Sequence, residues 1–92
     1  MALFAVDLSL NSDLDRRGEV RPEHREYLRS LVDAGKLHES GPYLDNSGAL
    51  LIYIAESVAD VQEILAADPY TKAGLVEGAK IREWNIVISK NA

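Results

Sequence analysis

The sequence from residue 58 to residue 70 reads VADVQEILAADPY. Its apolar side chains recur at helical spacing, which predicts a helix with an inward stripe that includes Leu65. Because proline disfavours the helical conformation of the residue before it, Pro69 should end this helix at about Ala67. Asp68 then lies above the buried stripe, where burial and the negative helix end both disfavour a carboxylate. Such a carboxylate needs a cation or several hydrogen-bond donors nearby.

The remaining elements can be placed outward from this helix. In chain order they are a strand over 3–10, a loop over 11–20, a helix from Pro22 to a glycine stop at Gly35, strands over 36–43 and 49–54, the helix capped by Ser57, one possible further turn over 69–73, and a strand over 81–88. This β-α-β-β-α-β order, with the right-handed crossover rule, predicts a ferredoxin-like α+β fold: a four-stranded antiparallel sheet with two helices on one face. We expect a single domain over residues 1–92.

Composition limits the classes of partner and compartment. The 92 residues carry a net charge of −5 and no cysteine. An acidic surface repels nucleic-acid phosphates, and a chain without cysteine lacks the disulfides of small secreted domains. Asp7 interrupts the apolar start, and no later run approaches the roughly 20 apolar residues that cross a bilayer. We expect a cytoplasmic protein with no nucleic-acid or membrane partner.

The predicted topology brings two titratable residues together. In this fold, the start of the first helix and the end of the second lie at the same edge of the domain. His24 is expected in the first turn of the first helix, on the stripe that carries Tyr27 and Leu28 toward the sheet. Asp68 closes the second helix. We therefore expect the imidazole to meet the carboxylate, with Ser40 near the same edge.

A histidine held by a carboxylate can act as a general acid or base near neutral pH. The carboxylate favours the imidazolium form of His24, while the positive helix end opposes it. Arg17 and Arg21 are candidates to bind an anionic or enolic oxygen. Together with Asp68, these residues suit proton abstraction beside a carbonyl group, as in isomerisation or elimination. The pattern predicts a catalyst on a small molecule that needs no cofactor and no metal.

Other interpretations of the same residues stay open. The arginine cluster over residues 16–25, interleaved with acidic side chains, is typical of a solvated helix entry, and anion binding is the alternative. A Ser40–His24–Asp68 triad is conceivable, although no Gly-x-Ser-x-Gly motif is present. A metal site of His24, His38 and Asp68 lacks clustered ligand spacing. Finally, the chain could be a non-catalytic small-molecule-binding or accessory module.

Several short motifs are spread along nearly the whole chain. They are Arg21-Pro22-Glu23-His24-Arg25-Glu26-Tyr27-Leu28, Gly35-Lys36-Leu37, Ser40-Gly41-Pro42, Gly48, Asp68-Pro69-Tyr70, Ala73-Gly74 and a closing strand with Trp84. Together, their order and spacing resemble the YciI-like, or YCII-related, family.

The resemblance implies a ferredoxin-like fold of the dimeric α/β-barrel superfamily, which also contains muconolactone isomerase-like enzymes. It implies a site at His24 and Asp68. The matching substrate-binding positions are Arg21, Ser40, Gly41, Pro42 and Tyr70. One member type acts as a dehydrochlorinase on a chlorinated hydroxyquinol. The resemblance therefore favours lyase or isomerase chemistry on a small cyclic or carbonyl-bearing substrate, phenolic or lactone in kind.

The apolar pattern separately predicts a homodimer. The strand over 49–54 is apolar on both faces, and the segment 81–88 shows no clean alternation. Two helices cover only one face of a four-stranded sheet. The other face would be an exposed apolar patch unless a second protomer covers it.

Overall fold

The computed structural model describes residues 1–91, which form four strands and three helices. In chain order the elements are β1 (Ala2–Leu10), α1 (Leu14–Asp33), β2 (Leu37–Pro42), β3 (Gly48–Ala55), α2 (Val58–Ala66), α3 (Pro69–Lys72) and β4 (Val76–Trp84). The four strands form one antiparallel sheet in the order β2-β3-β1-β4. This architecture confirms the predicted ferredoxin-like α+β fold.

The central strand β1 supplies the middle of the core. Phe4, Val6 and Leu8 are each at most 2% exposed, because a strand directs every second side chain to the same face. They pack with Leu51 and Tyr53 of β3 and with apolar side chains of α1 and α2. The helices therefore cover this face of the sheet, and the space between α1 and the sheet is where a site can form.

The largest difference from the predicted elements is the start of α1. The sequence pattern predicts a loop over 11–20 and a helix from Pro22, but the helix begins at Leu14. Asp13 caps it by accepting a hydrogen bond from the backbone N–H of Arg16 at 3.1 Å. The prediction is wrong because the inward face of the first turns is polar, so a search for apolar periodicity does not find it. Pro22 lies inside the helix.

The inward stripe of α1 begins with polar side chains and ends with apolar ones. Arg17 and His24 are buried, as is Leu31 further along the helix. His24 consequently lies about three turns from the start of α1. The positive helix end, which we expected to act on the imidazole, is too distant, since the effect of the helix dipole is confined to the terminal turn.

The remaining elements differ from prediction mainly at their ends. Ser57 caps α2 as expected, accepting a hydrogen bond from the Asp60 N–H at 3.2 Å, and α3 is the expected further turn. β4 begins earlier than the predicted strand over 81–88, because its hydrogen-bond ladder follows β1, where Trp84 pairs with Leu3. No helix within residues 1–91 is long and apolar enough to cross a membrane.

Candidate functional site

The structure brings His24 of α1 and Asp68, between α2 and α3, into direct contact. His24 Nδ1 lies 2.7 Å from Asp68 Oδ1, and both residues are buried, with relative exposures of 8% and 1%. An ionised carboxylate can only accept hydrogen bonds, so the pair fixes the tautomer in which Nδ1 carries the proton. Nε2 is then the ring nitrogen left for chemistry. The predicted meeting of the two side chains is thus seen in the structure.

Asp68 is held by more than the histidine. It follows the last turn of α2 and caps α3, where its Oδ1 accepts a second hydrogen bond, from the Tyr70 backbone N–H at 2.9 Å. This amide is one of the hydrogen-bond donors that a buried carboxylate at this position needs. Asp68 Oδ2 is buried and has no hydrogen-bond partner within residues 1–91. The carboxyl group is therefore oriented through one oxygen, while its other oxygen has an unused acceptor position in the interior.

Tyr70 orients the other partner of the pair. Its ring is stacked on the His24 imidazole, with centroids 3.8 Å apart and planes inclined by 6°. Tyr70 is only 5% exposed, so the stack is fixed by packing. The imidazole is thus constrained by a hydrogen bond at one edge and an aromatic face, as expected for a preorganised functional group.

A pocket of about 440 Å³ opens beside this stack, between α1 and the strands β2 and β3. The candidate residues from the sequence that line it are Arg17, Arg21, His24, Ser40, Gly41, Pro42 and Tyr70. The other lining residues are Leu10, Arg25, Leu28, Asn46, Ala49 and Leu51. Asp68 alone among the candidates stands behind the pocket and contacts it through His24.

Arg17 is the most deeply buried charged side chain of the pocket. It is 3% exposed, and its Nη1 donates to the backbone carbonyls of Asn46 at 2.6 Å and Asn11 at 3.3 Å. Its Nε is buried without a partner in the described part of the chain. Arg21 is half-buried and Arg25 exposed. The interpretation of this cluster as a solvated helix entry is therefore wrong for Arg17 and incomplete for Arg21.

The alternative sites are not assembled in the structure. Ser40 lines the pocket, but the described residues show no hydrogen bond between it and His24. His38 is half-exposed and pairs with the carboxylate of Glu39 at 2.8 Å, outside the pocket lining. Among residues 1–91, no group of three or more histidine, aspartate or glutamate side chains is placed to hold a metal ion.

Two further tyrosines feel the charge of Asp68. Burial, and then the Asp68 carboxylate, raise the pKa of Tyr53 far above its ordinary value of 10.0. Burial and the same carboxylate raise the pKa of Tyr27 as well, and its hydroxyl donates to the Ile64 carbonyl at 2.7 Å. Both phenols stay neutral under ordinary conditions. Asp68 therefore lies near two neutral phenols, and within residues 1–91 its ion-pair partner is His24.

Sequence reasoning missed Arg25, Leu28 and Asn46 as lining residues. A signal existed for Arg25, because it follows Arg17 and Arg21 at four-residue spacing and such positions share one face of a helix. No local signal marks Asn46. It lies in the turn between β2 and β3, where its φ is positive at 66°. Its backbone carbonyl accepts the hydrogen bond from Arg17 at the pocket.

The fold and the site define a small ferredoxin-like domain with a buried histidine–aspartate pair beside a pocket rich in arginine. The chain belongs to the YCII-related domain family, whose sequence profile matches residues 3–85. This match confirms the family resemblance seen in the short motifs.

Individual relatives agree with the family assignment. The chain is 30% identical to Protein YciI of Escherichia coli O6:H1, over 92% of this chain and 95% of that protein. It is 33% identical to the derivative of benzaldehyde biosynthesis cluster protein C of Emericella nidulans, over 70% of this chain and 76% of that protein.

A solved structure shows the same fold. It is 5-chloro-2-hydroxyhydroquinone dehydrochlorinase (TftG) of Burkholderia phenoliruptrix AC1100, in complex with 2,5-dihydroxybenzoquinone. The two structures superpose with a TM-score of 0.79 at 30% sequence identity, covering 90% of this chain and 93% of that chain.

Proposed function

We propose that this protein is a small enzyme of lyase or isomerase type that acts on a cyclic or carbonyl-bearing substrate, phenolic or lactone in kind. His24 is its general acid or base, and Asp68 is the residue that positions the imidazole. The observation that carries the proposal is the 2.7 Å contact between His24 Nδ1 and Asp68 Oδ1, made by an imidazole that also lines the pocket.

The chemistry follows from which nitrogen is occupied. With Nδ1–H donating to Asp68, His24 Nε2 can take a proton from a hydroxyl or from a carbon beside a carbonyl, and the carboxylate then stabilises the imidazolium. In an elimination, the electron pair left by the proton moves through the ring and expels an anionic leaving group. In an isomerisation, the same nitrogen returns the proton to another carbon. Arg17, Arg21 and the backbone at Ser40, Gly41 and Pro42 would hold the substrate.

Two relatives support a phenolic or aromatic substrate. The solved relative is named for dehydrochlorination of a chlorinated hydroxyhydroquinone and contains a dihydroxybenzoquinone. The fungal relative is named for a cluster that makes a benzaldehyde derivative. A pocket of about 440 Å³ beside a flat imidazole–phenol stack has room for one substituted ring.

The test is turnover by matched histidine variants. Chloride release from chlorinated hydroxyhydroquinones, and isomerisation of small unsaturated lactones, would be followed with the wild type, His24→Gln, Asp68→Asn and His38→Gln. We expect His24→Gln and Asp68→Asn to lose about 100-fold or more of kcat, the usual contribution of general acid–base catalysis. His38→Gln, which changes the other histidine outside the pocket, should match the wild type. A folded His24→Gln variant with full turnover contradicts the proposal.

A binding module is the second candidate, and one observation favours it. The Asp68 carboxylate also caps α3, so its contact with His24 could serve only to join α1 to the α2–α3 junction. In that case, ligands would bind with wild-type affinity to Asp68→Asn, and no compound of the panel would be converted.

We also propose that the protein is a homodimer formed through the sheet face that the helices leave uncovered. On that face, Trp84 of β4, Leu3 of β1 and Ile54 of β3 form a row of paired residues. Trp84 is 45% exposed, and Leu50, on the same face further along β3, is 41% exposed. A second copy would cover this apolar row. Light scattering should give twice the 10.1 kDa chain mass, and Trp84→Glu should give a monomer. A wild-type monomer at micromolar concentration contradicts the proposal.

A further inference from the structure

Three arginines of α1 face the pocket from one side of the helix. Arg17, Arg21 and Arg25 are spaced by four residues, and all three line the cavity, as does His24. No aspartate or glutamate is among the lining residues. The chain as a whole has the opposite sign, with a net charge of −5. The pocket is thus a concentrated positive region on an acidic protein, which attracts anions.

The positive charges of this face have no counter-ions within the described chain. Among residues 1–91, the ion pairs are His24 with Asp68 and His38 with Glu39, and no arginine is paired with a carboxylate. Like charges at four-residue spacing destabilise a helix. The arrangement is therefore unfavourable for the protein alone and becomes favourable when an anion lies between the guanidinium groups.

Arg17 shows that the positive charge is built into the site. Its side chain is 97% buried, counted from its relative exposure of 3%, yet only neutral carbonyls accept its hydrogen bonds. Its Nε has no acceptor in residues 1–91. A buried cation whose hydrogen bonds go only to neutral groups carries a large desolvation cost. The backbone carbonyls of Asn11 and Asn46 hold Nη1 of the guanidinium, and the Arg17 side chain lines the pocket where a ligand would lie.

We propose that the pocket binds a small planar ligand that carries a carboxylate, with Arg17, Arg21 and Arg25 holding the carboxylate and the ring lying beside the His24–Tyr70 stack. This inference rests on the proposed function, whose substrate class it narrows to aryl or cyclic carboxylates. A carboxylate suits the site because the planar guanidinium fork matches its two oxygens in a bidentate arrangement. The flat stack and the cavity volume suit one ring.

The test is equilibrium binding of two probes that differ in one group. By calorimetry or NMR titration, 2,5-dihydroxybenzoate is compared with hydroquinone, which lacks the carboxylate. We expect 2,5-dihydroxybenzoate to bind about tenfold more tightly, or better, since charge-assisted hydrogen bonds are the strong ones. Raising the salt concentration should weaken binding of the carboxylate and leave hydroquinone unaffected.

Matched arginine variants locate the carboxylate. Arg21→Gln and Arg25→Gln should each weaken binding of 2,5-dihydroxybenzoate by about tenfold, and each should change hydroquinone binding by less than about twofold. Arg29→Gln makes the same charge change one turn further along α1, outside this pocket's lining, and should bind as the wild type does. Thermal unfolding checks that each variant is folded. Because Arg21 and Arg25 are not buried, we expect their replacement to change the stability little.

Several results overturn the inference. It fails if neither probe binds, if hydroquinone binds as tightly as the carboxylate, or if Arg29→Gln has the same effect as Arg21→Gln. It also fails if inorganic phosphate displaces 2,5-dihydroxybenzoate better than benzoate does, since the site then prefers a tetrahedral anion. The outcome is separable from the proposed chemistry. If an inactive His24→Gln variant still binds the carboxylate, the inference is supported independently of turnover. If neutral phenols are turned over and a carboxylate gives no advantage in binding, the inference fails and the proposed chemistry stands.

Discussion

The two halves of α1 lie over the same sheet and differ in what they bury. In the second half, Leu31 joins a closed apolar cluster that includes Phe4. In the polar first half, taken as residues 14–24, Arg17 and His24 are buried instead, and Arg17 Nε and Asp68 Oδ2 have no partner in the described chain. The apolar half is saturated with contacts, whereas the polar half has hydrogen-bonding capacity left over.

This difference separates stability from recognition along one helix. Burial of apolar side chains stabilises the fold in proportion to the area removed from water. Buried donors and acceptors without partners cost about 1–3 kcal/mol each. The polar half therefore lowers the stability of the protein alone, and an anionic ligand beside the arginines that line the pocket recovers part of that cost. Mutations in the two halves should have opposite consequences.

Phe4→Ala breaks the apolar half and should have the largest effect on stability. Phe4 is 2% exposed in the main cluster, so truncation loses its burial and leaves a cavity. We expect the free energy of unfolding to fall by about 4 kcal/mol, measured by urea denaturation. Val32→Ala, a change at a half-exposed position of α1, should stay within about 0.5 kcal/mol. A similar loss for both variants would show that the apolar half is not tightly packed.

Asp68 variants test the junction behind the pocket, with the next largest effect. Asp68→Ala removes both the contact with His24 and the cap on the Tyr70 amide, and should cost about 3 kcal/mol of unfolding free energy. Asp68→Asn keeps an oxygen for the Tyr70 amide and should cost about 1 kcal/mol. Equal losses in the two variants would mean that the helix cap contributes nothing. Denaturation at pH 7 measures both.

Tyr53→Phe should stabilise the protein and change its alkaline pH dependence. The Tyr53 hydroxyl is buried without a partner in residues 1–91, so its removal should raise the free energy of unfolding by about 1 kcal/mol at pH 7. Burial, and then Asp68, raise the pKa of Tyr53 above 10.0 in the folded state. Because the folded pKa lies above the unfolded one, the titration of Tyr53 leaves the stability of the wild type unchanged below the unfolded pKa and lowers it as pH rises above about 10.

The variant should therefore lose less stability than the wild type between pH 10 and about pH 11.5. Parallel denaturation curves at pH 7 and at alkaline pH measure the difference. Tyr43→Phe removes a half-buried hydroxyl that donates to Asp7, and serves as the comparison for a tyrosine whose pKa is raised mainly by that hydrogen bond instead of by burial. If wild type and Tyr53→Phe fall in parallel above pH 10, the hydroxyl is already solvated in the folded protein.

Arg17→Met should have the smallest effect on stability and a clear effect on binding. Methionine keeps much of the side-chain length without the buried charge, and replacing buried charges by apolar groups is often neutral or stabilising. We expect a change within about 1 kcal/mol, measured by thermal and urea unfolding, together with weakened binding of 2,5-dihydroxybenzoate. A loss as large as that of Phe4→Ala would make Arg17 a structural residue of the core.

The sequence predicted the architecture better than the extent of its elements. Alternation in β1, the cap at Ser57 and the stop at Gly35 are local signals, and each is present in the structure. The start of α1 was missed because its buried side is made of Arg17 and His24, which carry no apolar periodicity. With the observed start of α1, His24 lies in the third turn instead of the first, too far from the positive helix end to be affected by it.

The candidate site was predicted from the topology of the fold. That prediction identified the residues that meet but not the contacts that orient them. The expectation that adjacent helix ends bring His24 and Asp68 together gave the right pair, but His24 lies in the middle of α1 and meets Asp68 where α1 packs along the α2–α3 junction. The stack of Tyr70 on His24 and the carbonyls that hold Arg17 depend on the conformation of the α2–α3 junction and of the β2–β3 turn. Such contacts between distant segments leave no pattern in the sequence.

Pro22 gives α1 an unusual internal property. Proline has no amide hydrogen. The backbone hydrogen bond that residue 22 of α1 would donate to the carbonyl of Gly18 is therefore missing. The missing hydrogen bond lowers the local stability of the helix at this position. Arg17 lies before this position and Leu31 after it, so we expect amide protons before Pro22 to exchange with solvent faster than those after it. Local opening of the turns before Pro22 would then expose the Arg17 side of the pocket while the apolar cluster around Leu31 stays folded.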